Sequence, residues 1–202
     1  MVNRYCKKLK LPTEIIPRID MTQWNTDGMN WYQFHKEIKC IEGLEKPFHD
    51  FMESLNIYSR WMEIFYTPPH QVGIIHSDTT DYADWSKMVF QTGAKGSTMR
   101  WWESNKTKRI STSIEEIVDD CGDRTDEAYH GDVLMAEEKD STLVYEQEIN
   151  ECCMTNVGPL HSSYNPTDEK RFVFTYAPYD LTTRERILWD DALERFKPYI
   201  DE

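Results

Sequence analysis

From about residue 70 onward the chain is written in short blocks: QVGIIHSD, KMVFQTG, STMRWWES, DVLMAEE, TLVYEQEI, CCMTNVGPLHSS and KRFVFTYAP. Each is rich in Val, Ile, Thr or aromatics, and Gly, Asp, Asn or Pro stands between them, which is the pattern of strands joined by tight turns. No helix-length segment separates successive blocks, so a doubly wound α/β fold is disfavoured. Helices at both ends with about seven strands between them predict a mainly β fold, a sandwich or jelly roll with flanking N-terminal and C-terminal helices.

The flanks carry the helical signals. WYQFHKEIKCIEGLEKPFHDFMESL places apolar residues three and four apart, and TTRERILWDDALERFKPYI reads as an amphipathic helix opened by a Thr cap. The expectation is one domain over 1–202, with 1–69 as helical and extended support, 70–178 as the β core and 179–202 as a C-terminal helix. Seven Trp and eleven Tyr argue against a disordered chain, and 202 residues suffice for one substantial core. A formal charge of −13 disfavours nucleic acid and anionic membrane surfaces as partners. MVNRYCKKLKLP lacks the apolar centre of a secretion signal, and no run is long enough to span a bilayer, so a soluble, intracellular, cytoplasmic protein is expected. SIEEIVDDCGDRTDEAYHGD reads as a solvated acidic insertion. Cys6, Cys40, Cys121, Cys152 and Cys153 show no paired CxxC spacing, which argues against a disulfide framework or zinc knuckle; adjacent Cys152 and Cys153 should face opposite sides of a strand. Nothing in the sequence sets the oligomeric state.

Within IIHSD, alternation puts His70, Val72, Ile74, His76 and Asp78 on one side of a strand. An inward imidazole and carboxylate would be balanced by a divalent cation. The plainer reading has Asp78 capping the turn SDTTDYAD and His76 hydrogen-bonded in the core, and for an isolated HxD that reading weighs more.

Farther along, VGPLHSSYNPTDEKRFVFTYAP shifts the balance. His161 stands near a strand end, and the turn NPTDEK is expected to form a hairpin that returns Arg171 beside it. In the last strand Arg171, Val173 and Thr175 share one face, while Phe172, Phe174 and Tyr176 share the face that should pack on helices. Two histidines and a carboxylate together resemble the facial triad that binds iron(II) and leaves coordination positions open. HxD, a distant His and an Arg ten positions later resembles the pattern of the Fe(II)/2-oxoglutarate-dependent dioxygenases. The likeness is to small forms similar to aspartyl/asparaginyl and prolyl hydroxylases, found in bacteria, marine metagenomes and their phages.

That resemblance implies a double-stranded β-helix (cupin-like) core over 70–178, with His76, Asp78 and His161 as Fe(II) ligands. Arg171 would hold the distal carboxylate of the co-substrate 2-oxoglutarate. It further implies O2-dependent hydroxylation of a small molecule or a protein or peptide side chain, with release of succinate and CO2. Where many members carry a serine two residues after the arginine, this chain has Val173; Thr175 or Ser163 could substitute, and Arg100 in STMRWWE is a rival anchor. One of Trp101 and Trp102 should face inward, where it would either wall the pocket or belong to the core, and the other should lie beneath helices. Tyr82 and Trp85 are candidates for a substrate rim, and His35, His49, His70 and His130 are given no role. Two readings compete from outside the family: a non-catalytic jelly-roll binding or structural module, and a cupin-like metalloenzyme that does not use 2-oxoglutarate.

Overall fold

The computed structural model describes residues 3–17, 26, 32–37, 44–58, 61–113, 130–149 and 152–201. In chain order its elements are β1 (Cys6–Lys8), β2 (Tyr32–Glu37), α1 (Glu45–Ser54), β3 (Ile57–Tyr58), β4 (Trp61–Thr67), β5 (Gln71–Val72), β6 (Ile75–Ser77), β7 (Ser86–Thr92), β8 (Thr98–Ser104) and β9 (Thr107–Ser113). They continue with β10 (His130–Ala136), β11 (Ser141–Glu148), β12 (Cys152–Asn156), β13 (His161–Asn165), β14 (Arg171–Tyr176), β15 (Tyr179–Asp180) and α2 (Trp189–Arg195).

Two antiparallel sheets make the body. One has the order β1-β12-β7-β14-β4-β2 and the other β11-β8-β13-β6-β10-β9, with β5 joined to β13. Successive strands β4, β6, β7 and β8 alternate between the sheets, and β11 to β14 do the same, which is the winding of a jelly roll. The hairpin β9–β10 widens the second sheet beyond β6, where Met135 pairs with His76.

Three apolar clusters follow from strand alternation. On the outer face of the first sheet, Met62, Ile64, Met88, Phe90, Phe172, Phe174 and Tyr176 pack under α1 and α2 through Phe48, Met52, Trp189 and Phe196. Between the sheets lie Cys6, Val89, Met99, Trp101, Ile149, Cys153 and Val173. On the outer face of the second sheet Trp102 meets Ile75 and Leu160. All five residues of β12 are buried because it has a sheet on one side and helices on the other, and Cys152 and Cys153 duly enter different clusters.

Three expectations are corrected. The long N-terminal helix divides: Tyr32–Glu37 is a strand paired with β4, and among the described residues of that stretch Glu45–Ser54 is helical. Aromatics at alternate positions in WYQFHKE suit a strand as well as a helix, and pairing with β4 decides. The C-terminal helix begins not at a Thr cap but at Trp189, because Asp180 Oδ1 accepts from the Thr182 and Thr183 amides and closes a turn there. The first seventy residues are more than support, since β1, β2 and β4 belong to the first sheet. Cys40 and Cys121, and nearly all of the acidic stretch, lie outside the described residues.

Candidate metal centre

β6 ends at Ser77, and it is Ser77 that holds the following turn. Its hydroxyl donates to the Gly158 carbonyl at 2.6 Å and accepts from the Thr79 amide. Asp78 is thereby released from capping. Its amide donates to Val157 O at 3.1 Å, and its side chain, 15% exposed, points between the sheets. The backbone of Gly158 lies so close to this turn that a Cβ there would stand 2.2 Å from Ala83 O.

His161 opens β13 directly opposite both His76 and Trp101. One donor atom from each of His76, Asp78 and His161 lies within 4.8 Å of the others. The Nε2 atoms of His76 and His161 are 3.4 and 3.7 Å from the same oxygen, Asp78 Oδ1. Donors at right angles about an ion 2.1 Å away stand about 3 Å apart, so both separations from Asp78 Oδ1 are close to what a shared cation would set. Each imidazole donates Nδ1–H to the carbonyl two residues before it, Ile74 O at 2.9 Å and Pro159 O at 3.0 Å. Those bonds fix the tautomer and leave both Nε2 lone pairs aimed at the shared point. Side-chain exposure falls from 32% at His76 through Asp78 to 7% at His161, so solvent reaches the cluster from the His76 side.

The charges suit ligation. Burial pushes the His161 pKa down to about 4, with His76 adding to the effect, so the ring is neutral at ordinary pH. For His76 burial works the same way, but the neighbouring Asp78 carboxylate outweighs it and the pKa rises. Burial opposes the charge on Asp78, yet its pKa lies well below the carboxylate norm because Lys87 and the histidines favour the anion.

Lys87 is the residue that motif reading missed. Its Nζ sits 2.6 Å from Asp78 Oδ2 and 2.9 Å from Glu63 Oε2, and Thr175 Oγ1 donates to the same Glu63 oxygen at 2.8 Å. Burial works against the lysine's charge, but the two carboxylates raise its pKa. The signal was present in KMVFQTG: with Met88 and Phe90 outward, alternation sends Lys87, Val89 and Gln91 inward.

The anchors separate cleanly. Arg171 is 2% exposed and shares the inner face of β14 with Val173 and Thr175. Its Nε donates to Gln91 Oε1 at 3.0 Å and its Nη1 reaches Thr67 Oγ1 at 3.4 Å; no carboxylate pairs with it among the described residues. Burial alone pulls its pKa down to about 9, which still leaves it protonated at neutral pH. Arg100 is on the opposite face of its sheet, paired with Glu146 at 2.8 Å and stacked 3.9 Å over Tyr164. Thr175 is engaged by Glu63, not Arg171, whereas Ser163 lies on the inner face of β13 against Gly73, two residues from His161.

Other placements differ from expectation. β13 and β14 belong to opposite sheets, so the turn between them crosses the barrel and does not close a hairpin. The strand through IIHSD breaks at Gly73 and Ile74, which leaves Val72 and Ile74 exposed. Trp101 is the inward tryptophan, fully buried, with Nε1–H donated to Asn156 O. Trp102 packs outside the second sheet, away from the helices, and donates to Ser162 Oγ. Tyr82 is exposed, and Trp85 lies beneath the Arg186 guanidinium. His70 faces Asp168 at the surface. No helix among the described residues is long and apolar enough to cross a membrane.

No protein-family model matches the chain, and no curated protein does. Among solved structures, an oxalate oxidase in complex with the substrate analogue glycolate is similar over 93% of this chain and 79% of its own, at 10% identity and a TM-score of 0.35. The non-heme monooxygenase ThoJ in its Ni complex is similar over 74% of this chain and 60% of its own, at 15% identity and a TM-score of 0.32. Pumpkin seed globulin is similar over 68% of this chain, at 9% identity and a TM-score of 0.32, and the chain spans 28% of that protein. These likenesses are distant, and the site rests on its own geometry.

Proposed function

We propose that this chain is a non-haem Fe(II)- and 2-oxoglutarate-dependent oxygenase that hydroxylates a substrate carbon and releases succinate and CO2. The observation that carries the reading is Arg171, a buried guanidinium without an acid among the described residues, on the inner face of the barrel that also holds the His76, Asp78 and His161 cluster. A buried cation of this kind is costly unless an anion completes it.

Charge balance favours a dicarboxylate as that anion. Lys87 is balanced by Asp78 and Glu63, whereas Arg171 and a divalent ion would each present positive charge to the barrel interior, at two points that two carboxylates can meet. Along β7, Lys87 lies at the ligand end and Gln91 at the Arg171 end, four residues or about 13 Å of strand apart. The arginine side chain and a five-carbon dicarboxylate together cover that span.

In this reading His76, Asp78 and His161 hold Fe(II), which with the 2-oxo acid supplies the oxidative chemistry. The chain's own residues orient and exclude. Arg171 would bind the distal carboxylate in a charge-assisted pair, steadied by Gln91 and within reach of the Thr67 hydroxyl. Val89, Val173, Met99 and Trp101 keep water from the barrel interior. Substrate would approach from the His76 side, where Ile74 is exposed.

The test is succinate formation from 2-oxoglutarate with Fe(II) and O2, measured with and without candidate substrates. Native protein should form succinate and Asp78→Ala should not. Metal uptake without any succinate would favour the cupin-like metalloenzyme, and absence of metal uptake the non-catalytic module.

A further inference from the structure

Only one oxygen of Asp78 faces the histidines. Oδ1 is the atom shared with both Nε2 groups, while Oδ2 is taken by Lys87 Nζ at 2.6 Å. Lys87 is in turn held by Glu63 at 2.9 Å, and Glu63 by the Thr175 hydroxyl. Lys87, Glu63 and Thr175 all lie on strands, β7, β4 and β14, while Asp78 lies in the turn after β6, so the lysine's position is set by the sheet.

We propose that Lys87 and Glu63 are positioning residues that act through Asp78. Lys87 keeps the acid a one-oxygen ligand and so preserves a coordination place that a two-oxygen carboxylate would fill. Glu63 supplies the countercharge that lets a cation stay beside a metal. The inference rests on the metal reading of the cluster. It adds that the openness of the site is enforced from the facing sheet by a charge chain from Thr175 to Asp78.

The two residues affect the ion with opposite signs, and this separates positioning from mere structural support. Lys87→Met removes a positive charge close to the ion and frees Oδ2. Mn(II) should bind more tightly, by on the order of tenfold, and carry one fewer exchangeable water than in the native protein. Glu63→Gln removes one of the lysine's two carboxylate partners and with it a negative charge near the ion, so Mn(II) should bind more weakly by a similar factor with the water count unchanged. Lys87→Arg keeps charge and donors and should restore the native water count.

The measurements are the free Mn(II) signal in electron paramagnetic resonance during titration, and water-proton relaxation of the bound ion, on the full-length chain. A general loss of packing would weaken binding in both variants. That result, or variants indistinguishable from native, overturns the proposal while leaving the metal site intact. If Lys87→Met does not fold, the Glu63→Gln affinity decides: weaker binding with an unchanged water count supports the proposal, and native affinity overturns it. Native protein that takes up no Mn(II) overturns the metal reading and this proposal together.

Discussion

Replacing Arg171 by Met should make the ligand-free protein more stable and at the same time remove its affinity for 2-oxoglutarate. The guanidinium is buried with only Gln91 and Thr67 for partners among the described residues, and burial drops its pKa from 12.5 to about 9. Taken at face value, that shift corresponds to on the order of 5 kcal/mol of unfavourable charge burial, an upper bound. Methionine keeps much of the aliphatic stem. The Gln91 and Thr67 oxygens each lose a donor, at about 1 kcal/mol apiece. The balance is a gain of about 1–3 kcal/mol, or roughly 3–8 °C in Tm for a chain of this size. Ligand binding should move the other way. Loss of a charge-assisted pair weakens it by about 100-fold. With Mn(II) present and 2-oxoglutarate at 100 times the native Kd, native protein gains about 2.7 kcal/mol from the ligand. The variant should gain only about 0.4 kcal/mol under the same conditions. Thermal unfolding with and without the ligand reads both effects. An Arg171→Met protein that melts several degrees lower without ligand, or that keeps the full ligand-induced shift, refutes the reasoning.

Other consequences can be checked on the same footing. Arg100→Ala should leave the 2-oxoglutarate shift unchanged and cost no more than about 1 kcal/mol, since its charge is spent on Glu146 and Tyr164; a lost shift would make Arg100 the anchor. Gly158→Ala would drive a Cβ into the Ala83 carbonyl and should cost about 2–4 kcal/mol, read as a drop in denaturant midpoint, with an unchanged midpoint contradicting the close approach. In metal-free protein with chelator present, His161 binds its proton less readily folded than unfolded, so stability should rise with pH from about 4 to 6.5. His76, whose folded pKa is raised, adds stability below 6.5 that is lost as pH climbs through its folded value, so melting curves should peak near the top of that window. A flat profile across the window would contradict the burial of His161.

Much of this fold was legible because strand alternation is a local property. RFVFTY named its own two faces, and the structure keeps them: Phe172, Phe174 and Tyr176 under the helices, Arg171 and Val173 inside. The cluster of His76, Asp78 and His161 was legible for the same reason, each lying at or beside the end of a short strand. What escaped reading depends on partners distant in sequence. Tyr32–Glu37 becomes a strand because β4 is there to pair with it. The turn from β13 into β14 looks like a hairpin but crosses between sheets, and nothing within its few residues distinguishes the two. Lys87 gave only a polar residue in an apolar strand. Its meaning comes from Glu63 and Asp78, both earlier in the chain, which the fold brings to its ammonium.

The central claim, a cation held by two imidazoles and one acid with a buried arginine completing a dicarboxylate site, is tested most directly by anaerobic titration of the protein with Fe(II) and 2-oxoglutarate while recording the visible spectrum. The account predicts the charge-transfer absorption of a 2-oxo acid chelated to iron in the native chain, its loss in Asp78→Ala, and its appearance only at far higher co-substrate concentration in Arg171→Met. A native chain that develops no such absorption at saturating iron and co-substrate would contradict it.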